Sequence, residues 1–335
     1  MDRSERSAPP ITVRELCYDD QHLPALWNSL LERSDARPVT QTLEWQRVWW
    51  STYGRGRLLL LAAERGGETI AIAPLFAEHG MIFFVGAGSA DYHDVLGTAH
   101  EPAVLAELLA AARIRTPDFL GFRLHFIPEY SRTGPALRVA AEQLDLVVID
   151  ENGMVAVTVD LGTDPNTVLR SVSRSMRKAE DFFRKAGDFV VRRIETSAEA
   201  LPLLPEFYEM HIARWRLLGI DSQFLVPAQR TFLERWVAIS AERGWLRLLH
   251  MQWKGATLGI DWNWHQGGTQ HSGPWAFAIE HQKRSPGQVL LRQAVLMALE
   301  ANMHTYDLGL GDEAYKFRLP CRAVACPTIG LYPPP

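Results

Sequence analysis

The sequence predicts an α/β (α+β) protein of two tandem domains, each a mixed, mostly antiparallel sheet flanked by helices. Three observations carry this. The chain has 335 residues, more than one compact core normally holds. Its apolar spacing switches repeatedly between period two and period 3.6, the signatures of strands and helices. One order of elements, β-α-α-β-β-β-α-β-α-β, runs twice at a spacing of about half the chain, which indicates a duplicated domain and not a solenoid.

In the first half, residues 11–16 alternate as a strand, and helical patterns follow at 23–33 and 42–53, the second with Trp45, Trp49 and Trp50 on helical spacing. Apolar runs at 57–64 and 68–76 flank Arg65-Gly66-Gly67, a hairpin in which glycine supplies the positive φ of the turn. A third sheet strand follows at 81–85, then a helix at 101–113, a strand at 120–127 and a helix at 133–143. Strands at 145–150 and 154–161 are read with a turn at Glu151-Asn152-Gly153.

The second half repeats this order. Residues 165–185 read as one long basic helix and 188–195 as a strand. Helices follow at 198–217 and 227–242. A hairpin at 245–252 and 257–264 turns at Lys254-Gly255, and 269–276 continues the meander. A helix at 289–303, a strand at 305–310, a helical turn at 312–317 and a strand at 328–332 close the chain. The domains are expected at 1–162 and 163–335, because Asp164 can cap a helix that has Pro165 at its first position.

Composition narrows the function classes. Hydrophobic residues make up 47% and charged residues 22%, an ordinary globular balance. A net charge of -4 gives no general reason to expect nucleic-acid binding. The polar N-terminus lacks an apolar leader, and the apolar stretches are interrupted by Arg and Gln. The expectation is therefore a cytoplasmic protein with no membrane insertion. Cys17, Cys321 and Cys326 are odd in number and widely spaced, so neither a disulfide framework nor a metal site is expected.

The most informative segment is 280–317. The loop Lys283-Arg284-Ser285-Pro286-Gly287-Gln288 enters a helix at once. Unpaired amides at a helix N-terminus make an anion site. Lys283 and Arg284 add charge there, and Gly287 allows close backbone approach. The same residues also read as an ordinary helix start with Ser285 as N-cap. Asp261 stands in the apolar-aromatic run Gly259-Ile260-Asp261-Trp262-Asn263-Trp264, either on a solvent face or in a cleft with a raised pKa. Trp262 is a candidate acceptor contact. Asp261, His265, Asp91, His93 and Asp94 are the candidate bases, and the run Asp91-Tyr92-His93-Asp94 is also a candidate substrate site. Arg170, Arg174, Arg177, Lys178, Arg184 and Lys185 crowd the basic helix. They form either a solvated face or an anion-binding face, with Arg174 and Arg177 the candidate contacts.

The stretch from Arg284 to Leu291, continuing to Tyr306-Asp307-Leu308-Gly309-Leu310-Gly311-Asp312-Glu313-Ala314-Tyr315-Lys316, resembles the signature of the cellulose-biosynthesis-protein-D-like (CelD-like) acetyltransferases of the GNAT superfamily. Leu43-Glu44-Trp45 with Trp49-Trp50, Asp91 to Leu96, and His211 with Arg214-Trp215 agree with it. At the level of fold the family is similar to tandem-GNAT Fem-type aminoacyl-tRNA-dependent transferases. The resemblance implies two tandem GNAT-like domains, the first shaping an acceptor cleft and the second binding an acyl-CoA donor such as acetyl-CoA. It implies a phosphate loop with Arg284 and Gly287 at its first two marked positions, and Val289 where the third is normally small. It implies an acid at Tyr315, with Asp307 beside the same cleft and Lys316 touching the donor. The expected reaction is acyl transfer to an amine or hydroxyl of a small sugar or amino-acid derivative. The alternatives are aminoacyl transfer from tRNA and a non-catalytic scaffold in polysaccharide production.

Overall fold

The computed structural model describes residues 9–172 and 174–335, with the side chains of Arg174 and Ser175 outside the described set. The chain forms two compact units, Met1–Met154 with Ala325–Pro335 and Val155–Val324. Each is a mixed, mostly antiparallel sheet flanked by helices.

The first unit runs β1 (Ile11–Glu15), α1 (Leu23–Glu32), α2 (Leu43–Tyr53), β2 (Arg57–Arg65), β3 (Glu68–Glu78), β4 (Met81–Phe84), β5 (Leu96–Gly97), α3 (Pro102–Ile114), β6 (Gly121–Leu124), α4 (Thr133–Gln143) and the start of β7 (Val147–Asp160). Gly66 and Gly67, both at positive φ, close the β2–β3 hairpin. The apolar run in β2 is continuous because both sheet faces are covered. Leu59 and Leu61 pack with α3 and α4, while Leu60 and Ala62 pack with α1 through Trp27 and Leu30. β4 and β6 pair in parallel, as a crossover through α3 requires.

The second unit continues from the rest of β7 through α5 (Pro165–Ser171), α6 (Arg174–Lys185), β8 (Phe189–Ile194), α7 (Ser197–Ala200), α8 (Leu204–Leu217), α9 (Pro227–Glu242), β9 (Leu246–Trp253), β10 (Ala256–Gln266), β11 (Thr269–Phe277), α10 (Pro286–Glu300) and β12 (Thr305–Leu310) to the start of β13 (Cys321–Tyr332), whose remainder belongs to the first unit. Its sheet order is β8-β9-β10-β11-β12-β7, against β1-β2-β3-β4-β6-β13 in the first unit. β11 and β12 are parallel across α10, as β4 and β6 are across α3. The closing strand of each half completes the sheet of the other. Residues 156–160 of β7 pair with β12, and residues 329–331 of β13 pair with β6.

Several sequence expectations change. The chain divides inside β7 and not at 162, and its last strand belongs to the first unit. Glu151-Asn152-Gly153 is not a turn, because β7 runs straight through it. Gly153 is there for close approach: a Cβ would lie 2.9 Å from the Cys326 carbonyl, while Glu151 accepts from the Tyr332 hydroxyl. The basic helix is two helices. Val172 leaves helical geometry at ψ 74, after Ser171 Oγ donates back to Val168 O at 2.6 Å, a bond that competes with helix propagation. The 198–217 pattern is interrupted by a 3-10 turn at Leu201–Leu203, with Pro202 inside it and Pro205 opening α8.

Glu180 fixes α6 against α10. Its carboxylate, only 5% exposed, receives Arg184 from its own helix and Arg292 from α10 at 2.9 Å. Removing a buried partner strands the other charge. Glu180→Ala is therefore expected to cost about 1–3 kcal/mol, read as a lower urea midpoint. An unchanged midpoint would mean that apolar packing alone holds α6.

Candidate functional site

The parallel ladder between β11 and β12 covers only Thr269↔Thr305, Gln270↔Tyr306 and His271↔Asp307. Beyond it the strands part. The register of β11 against β10 shifts between Asp261 and Asn263, at Gly273-Pro274. Proline brings no amide hydrogen to a ladder. Gly273 admits no side chain, since a Cβ would fall 2.1 Å from the Trp264 ring.

The opening is a small pocket of about 20 Å³ built wholly within the second unit. Asp261 comes from β10, Ser272 and Trp275 from β11, and Tyr306 and Leu308 from β12. Gly287, Leu290 and Leu291 come from the first turns of α10, and Tyr315 from the loop after β12. Asp261 is 3% exposed. Burial pushes its pKa up to about 7, and Oδ1 has no hydrogen-bond partner among the described residues. Burial also raises the Tyr315 hydroxyl to about 12, against the opposing hydrogen bond from Trp275. The site thus pairs a carboxyl that titrates near neutrality with a phenol that stays protonated.

Polar groups beneath the pocket are tied together. His265 Nε2 donates to Gln270 Oε1 at 2.8 Å, and Gln270 Nε2 donates to Asn263 Oδ1 at 3.3 Å and Ala294 O at 3.0 Å. Tyr306 donates to Asn263 Oδ1 at 3.5 Å. His265 is therefore occupied in this network and does not line the pocket.

The loop before α10 is a 3-10 turn, Ile279–Arg284, followed by Ser285 at φ 57 and ψ 49. Ser285 is the N-cap of α10 with Pro286 at the first helical position, as the sequence reads, but its side chain makes no cap bond. Its left-handed backbone delivers the chain directly into Pro286 and Gly287. A Cβ at Gly287 would lie 2.9 Å from the Trp275 ring. Val289 is fully buried in the core and does not belong to the loop. Lys283 is exposed and Gln288 half-buried, while the Arg284 guanidinium lies 4.2 Å from the centre of the Phe182 ring.

Other sequence candidates lie elsewhere. Trp262 is fully buried on the opposite side of β10 from Asp261, edge-on to Phe207. Asp307 alternates away from Tyr306 and Leu308. It faces His271 at 3.5 Å and accepts from Gly309 N at 2.9 Å. Lys316, 2% exposed, donates to the carbonyls of Gly309, Leu310 and Gly311, so its ammonium holds the loop and does not reach the pocket. Arg177 is exposed on α6, and the Arg174 side chain lies outside the described residues.

Asp91, Tyr92, His93 and Asp94 belong to the first unit. His93 is buried, stacked on Phe84, and held neutral with its pKa lowered to about 3. The Asp94 carboxylate accepts from Ser131 at 2.7 Å and from Thr133, and so ties its loop to the start of α4. Both read as structural.

No side-chain role at the site follows from the sequence for Arg214, Ser272, Trp275 or Tyr306. Arg214, from α8, lies over the Trp275 ring at 3.9 Å from its centre. The sequence signal for the others was the Gly-Pro pair inside a strand, which marks a break in a ladder.

The raised pKa of Asp261 has a consequence for stability. Between the ordinary 3.8 and about 7 the folded state holds a proton that the unfolded state has released, so stability falls as pH rises through that window. Asp261→Asn is expected to remove this slope and to be the more stable form at pH 8, by at most about 4 kcal/mol. Urea midpoints at pH 5 and pH 8 read this; parallel pH dependence in both forms would show an ordinary carboxylate.

Residues 170–317 match the family described as acetyltransferase (GNAT) domain. The fold is similar to FemX, at 11% identity over 95% of this chain and 96% of that one, with a TM-score of 0.67. It is similar to L-PGS from Bacillus licheniformis, at 12% identity over 93% and 92% with a TM-score of 0.59. It is also similar to a tandem GNAT protein from the clavulanic acid biosynthesis pathway, at 14% identity over 97% and 99% with a TM-score of 0.55. No curated protein matches the chain. The pocket and the loop that enters α10 both lie inside the segment that matches the GNAT acetyltransferase domain.

Proposed function

We propose that the second unit transfers an acyl group from an acyl-CoA donor, acetyl-CoA in the simplest case, to an amine or hydroxyl of a small sugar or amino-acid derivative. One observation carries the reading. A buried carboxyl with a free oxygen and a protonated phenol line one pocket, and the first turn of a helix closes it. The GNAT match over the same residues supports it.

The bound donor supplies an activated acyl carbonyl. The Gly287 amide at the start of α10, with Lys283 at the rim, holds its pyrophosphate by the helix-terminus effect, since the Ser285 and Gln288 amides already donate to Gln282 O and Ser285 O. Gly287 fits this role because its bare α-carbon leaves the backbone open beside Trp275. The unpaired stretch of β11 offers backbone N–H to the carbonyl oxygen as negative charge develops there. Asp261 takes the proton of the attacking amine or hydroxyl. Tyr315 returns a proton to the departing sulfur, and its raised pKa keeps that proton in place until then.

A second reading replaces acyl-CoA with aminoacyl-tRNA. The fold likeness to FemX and the exposed Arg177, Lys178 and Lys185 of α6 favour it. Ion pairs at Arg184, Arg192 and Arg193 weaken the case for one continuous anion track. Steep salt dependence of tRNA binding distinguishes this reading.

Calorimetric titration with acetyl-CoA tests the donor. Saturable binding is expected, weakened at least tenfold in Gly287→Glu and in Gln288→Glu, the second of which leaves the Trp275 contact intact. No binding by the unmodified chain would overturn the acyl-CoA reading.

With acetyl-CoA and an amine panel, Asp261→Asn is expected to slow thiol release about 10²–10⁴-fold. It should also abolish the loss of rate below about pH 7. Tyr315→Phe is expected to slow release without moving that limb. Unchanged rates in both variants would remove these roles.

A further inference from the structure

Arg214, on α8, brings a guanidinium to the wall of the pocket through its contact with Trp275. Several arginines of the second unit are paired: Arg184 and Arg292 with Glu180, Arg192 with Glu199, Arg193 with Glu300. No carboxylate forms an ion pair with Arg214 among the described residues. Glu313, a carboxylate whose charge acts on it after that of Tyr315, is bound to Lys316 Nζ at 3.0 Å. Arg214 is half-buried, and desolvation already disfavours its charge. A half-buried guanidinium stacked on a ring and paired with no carboxylate can take its counter-charge from a ligand.

Its position is fixed. The guanidinium lies over Trp275 at 3.9 Å and beside Phe277 at 5.6 Å. Trp275 in turn meets Tyr315 edge-on, with ring centres 5.6 Å apart, and both rings line the pocket. Stacking occupies a face of the guanidinium and leaves its edge N–H groups for a planar or tetrahedral anion, the bidentate geometry that lysine cannot reproduce.

We infer that Arg214 is an anion-recognition residue of this site, reading a carboxylate or phosphate group on the ligand that occupies the Trp275–Tyr315 pocket. The inference rests on the acyl-transfer reading only for which ligand brings the anion. In one case it is an acidic group on the acceptor, which makes the acceptor class an amino acid or an acidic sugar. In the other it is a donor phosphate. Arg214 sets affinity and selectivity here and takes no proton.

The test is calorimetric titration of the full chain, Arg214→Met and Arg214→Lys with three probes: CoA, pantetheine and glutarate. Equal thermal midpoints establish that the variants are folded, and Arg214→Lys keeps the charge should Arg214→Met fail to fold. At least a tenfold loss of affinity for an anionic probe is expected in Arg214→Met, with Arg214→Lys intermediate. Loss for CoA with pantetheine unchanged assigns the anion to the donor. Loss for glutarate with CoA unchanged assigns it to the acceptor. Equal affinities in all forms, or no anionic probe bound by the full chain, overturns the inference. The donor-loop reading fails separately, if Gln288→Glu leaves CoA affinity unchanged whatever Arg214 does.

Discussion

Pro274 has no amide hydrogen, and a strand cannot keep its ladder through a residue that lacks one. Beside it Gly273 is pressed against the Trp264 ring, where no Cβ fits. The pair shifts the register against β10, and the parallel pairing with β12 stops at His271 and Asp307. The rest of the site depends on that interruption. It opens the sheet between Trp275 and Leu308, exposes the flank of Asp261, and leaves room for the first turn of α10 to come down on the gap at Gly287.

The electrostatics follow from what the opening lacks. Asp261 sits between apolar walls with one carboxylate oxygen unanswered, so desolvation dominates and its proton is held until about neutrality. Neighbouring phenols respond in the same direction. Tyr306 and Tyr315 are both raised first by burial and further by the Asp261 charge. A carboxyl and a phenol whose affinities for protons are pushed to different levels make a natural base and acid pair.

Much of the architecture was legible because local chemistry and tertiary context agree. Gly66-Gly67 and Lys254-Gly255 turn at positive φ, and α4, α9 and β12 carry clean periodicities. The failures come from residues whose local signal has two meanings. Asn152-Gly153 has turn chemistry, yet glycine there serves a backbone approach from the far end of the chain. The strand exchange that closes each sheet is a long-range pairing and leaves no local mark. In the site, strand alternation separates Asp261 from Trp262 and Tyr306 from Asp307, and the sequence does not say which face meets the gap. Lys316 looked like a ligand contact, but three nearby carbonyls use its charge. Arg214 comes from a helix more than forty residues before Asp261, so its stacking on Trp275 is visible only in three dimensions.

The central claim is that the donor lies in the gap between β11 and β12, with its phosphates at the start of α10. Diffraction from crystals of the full chain grown with CoA tests it most directly. The account predicts the pantetheine arm between the parted strands, the sulfur beside Tyr315, and the pyrophosphate on the amides around Gly287. Ordered CoA elsewhere, with Leu290, Trp275 and Leu308 closed over the gap, would contradict it.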